Sequence, residues 1–381
     1  MMGKDNLIFM HKLLKAIADA IIIVFIPLYI LKETNDIRLA MAYLIIYSLF
    51  VILFMFVLKK LIQKYGVLCI MLHFIPIIAT EAILSFSEIN ITTIIICAGL
   101  MGLQQALYSI PLNLIFAFGD KKNNVGKFMI ASNIGKLIFT LASGLILSNV
   151  ENSFMFLSIA SSVFYIICIF PIIFAYKDLK DRYNSIDKDK KPVRLDWWFV
   201  IFHITFGLFQ PIMDNVVPLY LYINNLSFQA VAIFIVLIEF LKIIVNYISQ
   251  LLVRKNKSII CVIISFILFM SSVIVILFVK NSTVLYIFST ICALSFPLTF
   301  VPMFGLYCEY LKVNNNVFIG MTERDFEIFS LRAPMYALSY IGFGLYPVLI
   351  LGLGIVPVMF LSQYKLINKK KEYTKIDENT L

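Results

Sequence analysis

Seven ionisable side chains lie inside long apolar stretches of this 381-residue sequence. Ionisable groups at membrane depth are costly to bury, so they usually face a cavity or one another. A carboxylate in such a place can bind and release a proton, whereas Lys and Arg can hold a carboxylate or a phosphate group. The pattern therefore predicts a polar site within an apolar protein. The seven residues are Asp19, Glu81, Lys136, Asp214, Glu239, Lys242 and Arg332.

Polar neighbours extend several of these charges at the three- and four-residue spacing of one helix face. One face carries Asn133, Lys136, Thr140 and Ser143, a second carries His203, Gly207, Gln210 and Asp214, and a third carries Glu239, Lys242, Asn246 and Gln250. Asp214, Asp19 and Glu239 are the candidates for proton binding. The candidates for substrate binding are Gln104, Gln105, Tyr108, Lys136, His203, Gln210, Lys242 and Arg332.

Several of these residues also have a purely structural interpretation. Glu239 and Lys242 lie three residues apart and can neutralise one another as a structural ion pair. Asp19 lies one turn after Lys15, so these two can form an ion pair near the inner surface. Glu81 is expected close to the outer end of its helix, where it reaches interfacial water, and His203 is more often a packed, neutral side chain than a proton carrier. The sequence leaves these alternatives open.

The elements that carry these residues are membrane-spanning helices. Hydrophobic residues make up 61% of the chain and charged residues 14%, which excludes a soluble domain of this length. Apolar stretches of about 20 residues, enough to cross about 30 Å of hydrocarbon, recur along the chain. An all-α polytopic membrane protein with twelve transmembrane helices is predicted, near residues 10–31, 37–58, 66–87, 91–118, 125–148, 153–176, 197–223, 227–253, 258–279, 283–311, 325–345 and 347–364. Eleven helices is the alternative, because no polar loop separates the last two.

The Lys and Arg residues predict the orientation, because basic residues are retained on the cytoplasmic side. Most of the 32 fall in the amino terminus, the carboxyl tail and alternate loops, including a loop at 312–324. The opposite loops hold only Lys32, Arg38 and Lys280. Both termini are therefore expected in the cytoplasm, which requires an even number of helices. The net charge of +10 follows this distribution, so no nucleic-acid partner is inferred.

Short motifs recur between the two halves of the chain at a constant offset. The stretch "IPLYIL" at 26–31 matches "VPLYLY" at 217–222, and "IPLN" at 110–113 matches "VPMF" at 301–304. Between the halves, residues 177–196 are highly charged and have no apolar face, which is typical of a solvated linker. The predicted domains are a six-helix bundle at 1–176, a cytoplasmic linker at 177–196 and a second six-helix bundle at 197–381 that ends in a cytoplasmic tail.

Two six-helix halves in parallel repeat, joined by a charged inner loop, resemble the major facilitator superfamily of secondary transporters over nearly the whole chain. The superfamily's loop signature between helices 2 and 3 is similar to "KKLIQKYGVL" at 59–68, where Lys64 and Gly66 match and Gln63 replaces an Asp. The resemblance implies that Gln63, Lys64 and Gly66 form a gating loop. It also implies that helices 1, 4, 7 and 10 line a central cavity flanked by helices 2, 5, 8 and 11, on which the polar faces converge.

Motifs for catalysis and cofactor binding are absent from the sequence. It has no phosphate loop, no H-E-x-x-H and no G-x-S-x-G, and its six cysteines lack C-x-x-C spacing, so no enzyme, metal site or cofactor is expected. The resemblance implies alternating-access transport of a small molecule. We favour proton-coupled export of an amphiphilic compound, because the expected cavity helices are largely aromatic and aliphatic.

Two other functions remain as alternatives. One is uptake of a polar or anionic solute, and the other is a non-transporting accessory or receptor on a transporter scaffold. The bias towards Ile, Lys and Asn favours a bacterial inner membrane, where a monomer surrounded by membrane lipids is expected.

Overall fold

The computed structural model describes residues 4–117, 124–150, 152–186, 196–224, 226–279, 281–314, 317–341 and 345–378. Over these ranges the chain is helical and contains no β-strand. The helices group into twelve rods, several of which consist of two segments. The rods of the first half are α1 (Lys4–Ile21 and Ile26–Thr34), α2 (Ile37–Val57), α3 (Lys59–Leu72 and Phe74–Phe86), α4 (Ile91–Ala117), α5 (Asn124–Asn149) and α6 (Ser153–Ile167 and Phe170–Asn184).

The second half has the same number of rods. They are α7 (Trp197–Pro211 and Val217–Ile223), α8 (Phe228–Arg254), α9 (Ser258–Phe278), α10 (Ser282–Val313), α11 (Val317–Ser330 and Arg332–Ile341) and α12 (Leu345–Glu378). We call the end of the bundle at which α1 begins the inner end, and the opposite end the outer end. The inner end is the one that the sequence predicts to face the cytoplasm.

Ten of the twelve rods can be recognised as membrane spans by length and apolar character. Within the described residues nine helices pass this test, and the two segments of α3, which meet at 46°, make a tenth if they form one span. The other two rods are α7, which contributes a shorter apolar stretch over Trp197–Leu208, and α11, which is interrupted at Leu331. The predicted membrane fold is therefore confirmed, whereas α7 and α11 depart from simple spans.

Proline residues explain several of the breaks. Pro27, Pro171 and Pro218 each lie in the first turn of a second segment, in α1, α6 and α7 respectively. Proline lacks an amide hydrogen, so it is tolerated where a helix starts but interrupts one that would otherwise continue. Each of these three rods therefore consists of two helical segments.

The contacts of the second half repeat those of the first. α1 packs against α5 and α6, and α7 packs correspondingly against α11 and α12. Likewise α2 and α3 both contact α4, as α8 and α9 both contact α10. Two bundles with the same internal arrangement agree with the repeat predicted from the matching motifs.

The two bundles meet along α5 with α8 and along α2 with α11. The first contact is close, since a Cβ on Gly144 would lie 2.1 Å from the Cβ of Ala232. Near the outer end the rings of Phe25 and Phe228 are 5.8 Å apart, and near the inner end Phe56 meets Phe326 edge-on at 5.1 Å. The halves therefore touch on both sides of the centre.

Several boundaries differ from the sequence prediction. The third helix begins at Lys59 and not near residue 66, the twelfth continues to Glu378 and not to 364, and two further differences lie in charged segments. The inner loop expected at 312–324 is helical from Val317 onwards, and Arg324 is buried in it beside Asp325 at 2.6 Å instead of lying in solvent. The sixth helix, expected to end at 176, continues to Asn184 with Leu179 and Tyr183 buried. In both places the charged residues lower the mean hydropathy, so the sequence pattern did not indicate a helix. The buried residues on one side of each segment are nevertheless enough to dock it as a helix.

Candidate functional site

A cavity of about 280 Å³ lies between the two bundles. Polar side chains reach it from both halves, and apolar residues such as Met101, Phe234 and Ile238 complete its wall. Six of the seven ionisable residues singled out in the sequence line it, together with Lys15. The charged lining residues are Lys15, Asp19, Lys136, Asp214, Glu239, Lys242 and Arg332.

Asp19 is held entirely by the first half. The Nζ of Lys15, one turn earlier on α1, donates to both carboxylate oxygens at 2.8 and 2.7 Å. The hydroxyl of Tyr165 on α6 donates to Oδ1 at 2.5 Å. The side chains of Lys15 and Asp19 are 8% and 23% exposed. The ion pair that the structural interpretation expected is therefore present, and it lies at the cavity wall.

A second set of charges links the two halves. Lys242 donates to Glu239 Oε1 at 3.2 Å and to Asp214 Oδ1 at 3.5 Å, all three within the second half. Lys136 of α5, in the first half, lies 3.7 Å from the same Glu239 oxygen. Lys136 reaches Glu239 because α5 packs against α8. Glu239 is thus the acid that contacts bases from both halves.

Two amides support Glu239 from the side. In the side-chain orientation that satisfies both of its partners, Asn133 donates to Glu239 Oε2 at 3.1 Å and accepts from Asn246 Nδ2 at 3.0 Å. Asn133 lies one turn before Lys136, and Asn246 lies one turn after Lys242, so the predicted polar faces of α5 and α8 do meet. A buried carboxylate with several hydrogen-bond donors is stabilised in its charged form.

Asp214 lies in a short π-helical turn at Ile212–Val216, between the two segments of α7. Such wide turns are rare and often occur at functional sites. The side chain of Asp214 is 38% exposed, compared with 6% for Glu239. Next to it, Asn215 donates to the hydroxyl of Tyr336 on α11 at 2.8 Å. The π turn thus turns one acid towards the cavity and ties the next residue to a neighbouring rod.

The remaining polar lining comes from α2, α4 and α11. Gln104 and Gln105 of α4 line the cavity as predicted, and Gln104 Nε2 is buried with no hydrogen-bond partner among the described residues. Arg332 lies over the ring of Phe329, with Cζ 4.1 Å from its centroid. The sequence analysis missed three lining tyrosines, Tyr43, Tyr47 and Tyr336. Their spacing was the available signal, since Tyr43 and Tyr47, like Arg332 and Tyr336, are one turn apart.

Two predicted substrate-binding residues do not line the cavity. Tyr108 is buried within the first half, where its ring lies 4.5 Å from that of His73 and 4.7 Å from Lys15 Nζ. His203 lies towards the inner end of α7, with Nδ1 2.7 Å from Glu327 Oε2. It also contacts the ring of Tyr307 edge-on at 4.5 Å. Neither residue lines the cavity, because neighbouring helices cover both side chains. Tyr108 is covered by α1 and α3, and His203 by α11.

The polar face predicted on α7 is interrupted between His203 and Asp214. A Cβ on Gly207 would lie 2.2 Å from the carbonyl oxygen of Ile328, so this glycine permits close packing of α7 on α11. The side chain of Gln210 lies outside the described residues. Only Asp214 of this face is shown to reach the cavity.

The residues of the predicted gating loop lie on both sides of a kink in the first segment of α3, where Tyr65 departs from helical geometry with φ −124° and ψ 29°. Gly66 is buried, and a Cβ there would lie 2.2 Å from the ring of Tyr183, whose hydroxyl donates to Ile62 O at 2.6 Å. Lys64 is exposed beside the ring of Tyr65, with Nζ 4.9 Å from its centroid. Gln63 is partly exposed on the same helix. Gly66 therefore allows α6 to dock on α3, an arrangement based on packing at this position and not on charge.

Glu81 does not reach interfacial water. Its side chain is fully buried between α3 and α6, where Oε1 accepts from Ser161 at 2.6 Å and Oε2 from Ser162 at 2.9 Å. The interpretation as an interfacial residue is wrong, since α6 covers this face of α3. Glu81 is also the one residue of the original seven that does not line the cavity.

The cysteines and possible metal ligands are dispersed. Within the described residues, no group of three or more His, Cys, Asp or Glu side chains is placed to hold a metal ion. The six cysteines are free thiols, and all except Cys308 are buried. Their positions are those of packing residues.

The chain was compared with protein-family models and with curated sequences. The chain matches the family model of the Major Facilitator Superfamily over residues 9–321, well over half of its length. A search of curated protein sequences gave no significant match.

Solved structures share the fold. A bacterial homologue of the iron transporter ferroportin, in an outward-facing state, is similar with a TM-score of 0.69 and 12% identity, over 96% of this chain and 99% of that one. The human organic anion transporter MFSD10 is similar with a TM-score of 0.70 and 10% identity, over 95% of this chain and 100% of that one. At such identities these likenesses describe the fold alone.

Proposed function

We propose a proton-coupled transport cycle for this chain, which belongs to the Major Facilitator Superfamily and is therefore a secondary transporter that moves a small molecule across a membrane. The observation that carries the proposal is the set of acids and bases from both halves that face one cavity. In alternating access, the two halves move relative to one another around such a site. Neutralising a charge that links the two halves therefore changes the relative stability of the conformations that open to either side of the membrane.

Protonation would act through the charges around Lys242. Asp214 is the most exposed of the three cavity acids, so it can exchange protons with solvent that enters the cavity. When Asp214 is neutral it no longer attracts Lys242, which is then held by Glu239 alone. Glu239 also binds Lys136 across the interface. If Lys242 binds Glu239 more strongly, the ion pair of Glu239 with Lys136 weakens, and the contact of α5 with α8 changes. Asp19 is the second candidate, and its protonation would release Lys15 and Tyr165.

The cavity favours a small amphiphilic substrate with an acceptor group. Met101, Phe234 and Ile238 offer an apolar wall, and the buried Gln104 amide nitrogen offers a donor. No partner for that donor lies among the described residues, and a substrate oxygen would satisfy it, because an unpaired buried polar group costs about 1–3 kcal/mol. The volume of about 280 Å³ corresponds to a small molecule. Export of such a compound from a bacterial cell, through the inner membrane with both termini cytoplasmic, remains our preferred direction.

Uptake of an anionic solute is the second candidate, and one observation favours it. Lys15, Lys136, Lys242 and Arg332 outnumber the three acids at the cavity, so the site has a surplus of positive charge. A carboxylate or phosphate on the substrate would neutralise that surplus, and the guanidinium of Arg332 is suited to bidentate contact. The first candidate relies on the Gln104 amide and the second on the guanidinium of Arg332. They also differ in the size of the apolar part and in the direction of movement.

Ligand screening by thermal unfolding tests the proposal and separates its alternatives. A panel of amphiphilic amines, zwitterions, carboxylates and phosphates is added to the purified protein, since a ligand at about 100 times its Kd raises stability by about 2.7 kcal/mol. We expect stabilisation by compounds with an acceptor group, reduced in Lys136→Gln and unchanged in Lys255→Gln, which alters an exposed residue at the end of α8. A hit that binds but never crosses reconstituted vesicles would favour the receptor alternative. Stabilisation that Lys136→Gln leaves intact would contradict the assigned site.

A further inference from the structure

Glu81 is a buried acid that the cavity does not use. It lies on the second segment of α3, which packs against the first segment of α6, and none of its side-chain surface is exposed. Over the part of the chain that the structure describes, no Lys, Arg or His nitrogen lies within ion-pair distance of its carboxylate. Its partners are the hydroxyls of Ser161 and Ser162. The membrane interior thus contains a carboxyl group with hydroxyl partners and no counter-ion.

This environment can accommodate both protonation states of Glu81. A buried charge without a counter-ion is costly, which favours the neutral acid. A hydroxyl can donate to a carboxylate, and it can equally accept from a carboxylic acid after rotating its hydrogen. The two serines therefore satisfy the group before and after it binds a proton, with no movement of the backbone. A structural polar contact would not need a titratable group at this position, since Gln makes the same contacts.

The same face of α6 also touches the cavity acid. Ser161 approaches the carbonyl oxygen of Ala18 on α1 at 3.1 Å, and the next residue is Asp19. Tyr165, one turn after Ser161, donates to Asp19 Oδ1 at 2.5 Å. Hydroxyls on adjacent turns of one helix therefore contact Glu81 and Asp19. Hydroxyl groups can pass a proton by donating one while accepting another, so these two residues are the candidates for a route between the acids.

We propose that Glu81 is a second proton-binding residue, outside the cavity, which exchanges its proton with Asp19 along the Ser161 and Tyr165 face of α6. The inference rests on the proposed proton coupling and adds a site to it. In the exchange, the proton leaves the Glu81 carboxyl as the Asp19 carboxylate gains one, so the total charge of the pair is unchanged. The neutral Asp19 then releases Lys15 at the cavity wall.

Other titratable groups lie in the same bundle, and any pH response must be separated from theirs. They are His11, Lys12 and Lys15 on α1, His73 on α3 itself, Cys97 and Tyr108 on α4, and Tyr165 and Cys168 on α6. Carboxyl groups can be observed separately from all of these, because the infrared band of a protonated carboxyl belongs to acids alone. Infrared spectra recorded as a function of pH are therefore a suitable readout.

The first experiment compares Glu81→Gln with a matched control, Glu88→Gln, on protein reconstituted in lipid vesicles. Glu88 follows Glu81 by two turns, just beyond the end of α3, and is exposed. We expect wild type and Glu88→Gln to show a buried carboxyl band that disappears on raising the pH, and Glu81→Gln to lack it. An unchanged band in folded Glu81→Gln protein would overturn the proposal.

The second experiment tests the exchange with Asp19 and does not depend on Glu81→Gln folding. Asp19→Asn should change the pH midpoint of the Glu81 band, and Tyr165→Phe, which removes the connecting hydroxyl, should slow the proton exchange that follows a pH jump. If neither variant changes the band or its kinetics, no exchange takes place. These measurements need no transported substrate. One outcome is a pH-dependent Glu81 band in vesicles in which an imposed pH gradient drives no movement of any ligand. That result would contradict the proposed function but not the assignment of Glu81 as a proton-binding residue.

Discussion

Replacing Lys242 by Met isolates the contribution of the charge at the centre of the site. Lys242 lies 3.2 Å from Glu239 and 3.5 Å from Asp214, and its side chain is 10% exposed. Met has a similar length and no charge, so the change removes the ammonium group with little change in volume. Glu239 is then left with Lys136 at 3.7 Å, on the opposite bundle.

The expected loss of stability follows from these distances. With an effective dielectric constant of about 20, unit charges 3.2 Å apart attract by about 5 kcal/mol, and at 3.7 Å by about 4.5 kcal/mol. Lys136 is 31% exposed, so solvent screens its share. Breaking a buried ion pair costs about 3–5 kcal/mol when one charge is left without a partner. Because Lys136 remains, we expect Lys242→Met to lower the free energy of unfolding by about 3 kcal/mol, near the bottom of that range.

A double-mutant cycle checks this estimate in mixed micelles, where unfolding can be made reversible. Glu239→Gln combined with Lys242→Met removes both charges, so the double variant should be more stable than the sum of the single losses predicts, with a coupling energy of about 2 kcal/mol. Lys255→Met, at an exposed site beyond the same helix, should change stability by less than about 0.5 kcal/mol. Two single variants as stable as the wild type, or single losses that simply add, would refute the pairing.

Two further predictions concern packing and orientation. Gly207→Ala should destabilise the protein by about 1–3 kcal/mol in the same unfolding assay, because its Cβ would lie 2.2 Å from Ile328 O. Gly305→Ala, which meets nothing within 4 Å, should be neutral or stabilising, and equal effects of both changes would contradict the packing of α7 on α11. In a cysteine-free background, Glu33→Cys should react with an impermeant thiol reagent in intact cells and Ser185→Cys should not, and the reverse pattern would overturn the predicted orientation.

Most of the fold could be predicted because a membrane helix depends on local composition. About twenty apolar residues must form a helix in hydrocarbon wherever they occur. The misjudged segments are helical stretches rich in charged residues, at the end of α6 and at the start of α11. The turn that contains Arg324 looked like a loop, although Asp325 neutralises it at 2.6 Å.

The candidate site was predicted less completely, because periodicity identifies a helix face but not what covers it. Lys136, Glu239 and Lys242 meet because α5 and α8 are neighbours, whereas the resemblance implied only that both helices flank the cavity. His203 and Gly207 share a face with Asp214 in a regular helix, yet α11 covers the first two and the π turn at Ile212–Val216 reorients the third. No single-sequence pattern gives the position of such a turn.

Long-range partners account for the other errors. Glu81 looks like an interfacial acid until Ser161 and Ser162, far along the chain, are placed beside it. Tyr43 and Tyr336 looked like ordinary residues of apolar helices, and only the meeting of the two halves shows them at the cavity. Contacts between distant segments therefore decide which of many polar residues belong to the site.

The most direct test of the central claim is ligand accumulation driven by a pH gradient in proteoliposomes, with the compound identified by thermal unfolding. Wild-type protein should concentrate the ligand against its gradient, and this accumulation should be coupled to proton movement across the membrane. Asp214→Asn should abolish this accumulation while leaving ligand binding and exchange across equilibrated vesicles nearly intact, because only the proton-dependent step is lost. Full accumulation by both Asp214→Asn and Asp19→Asn would contradict the account, since neither of the two cavity acids to which it assigns the coupling proton would then carry it.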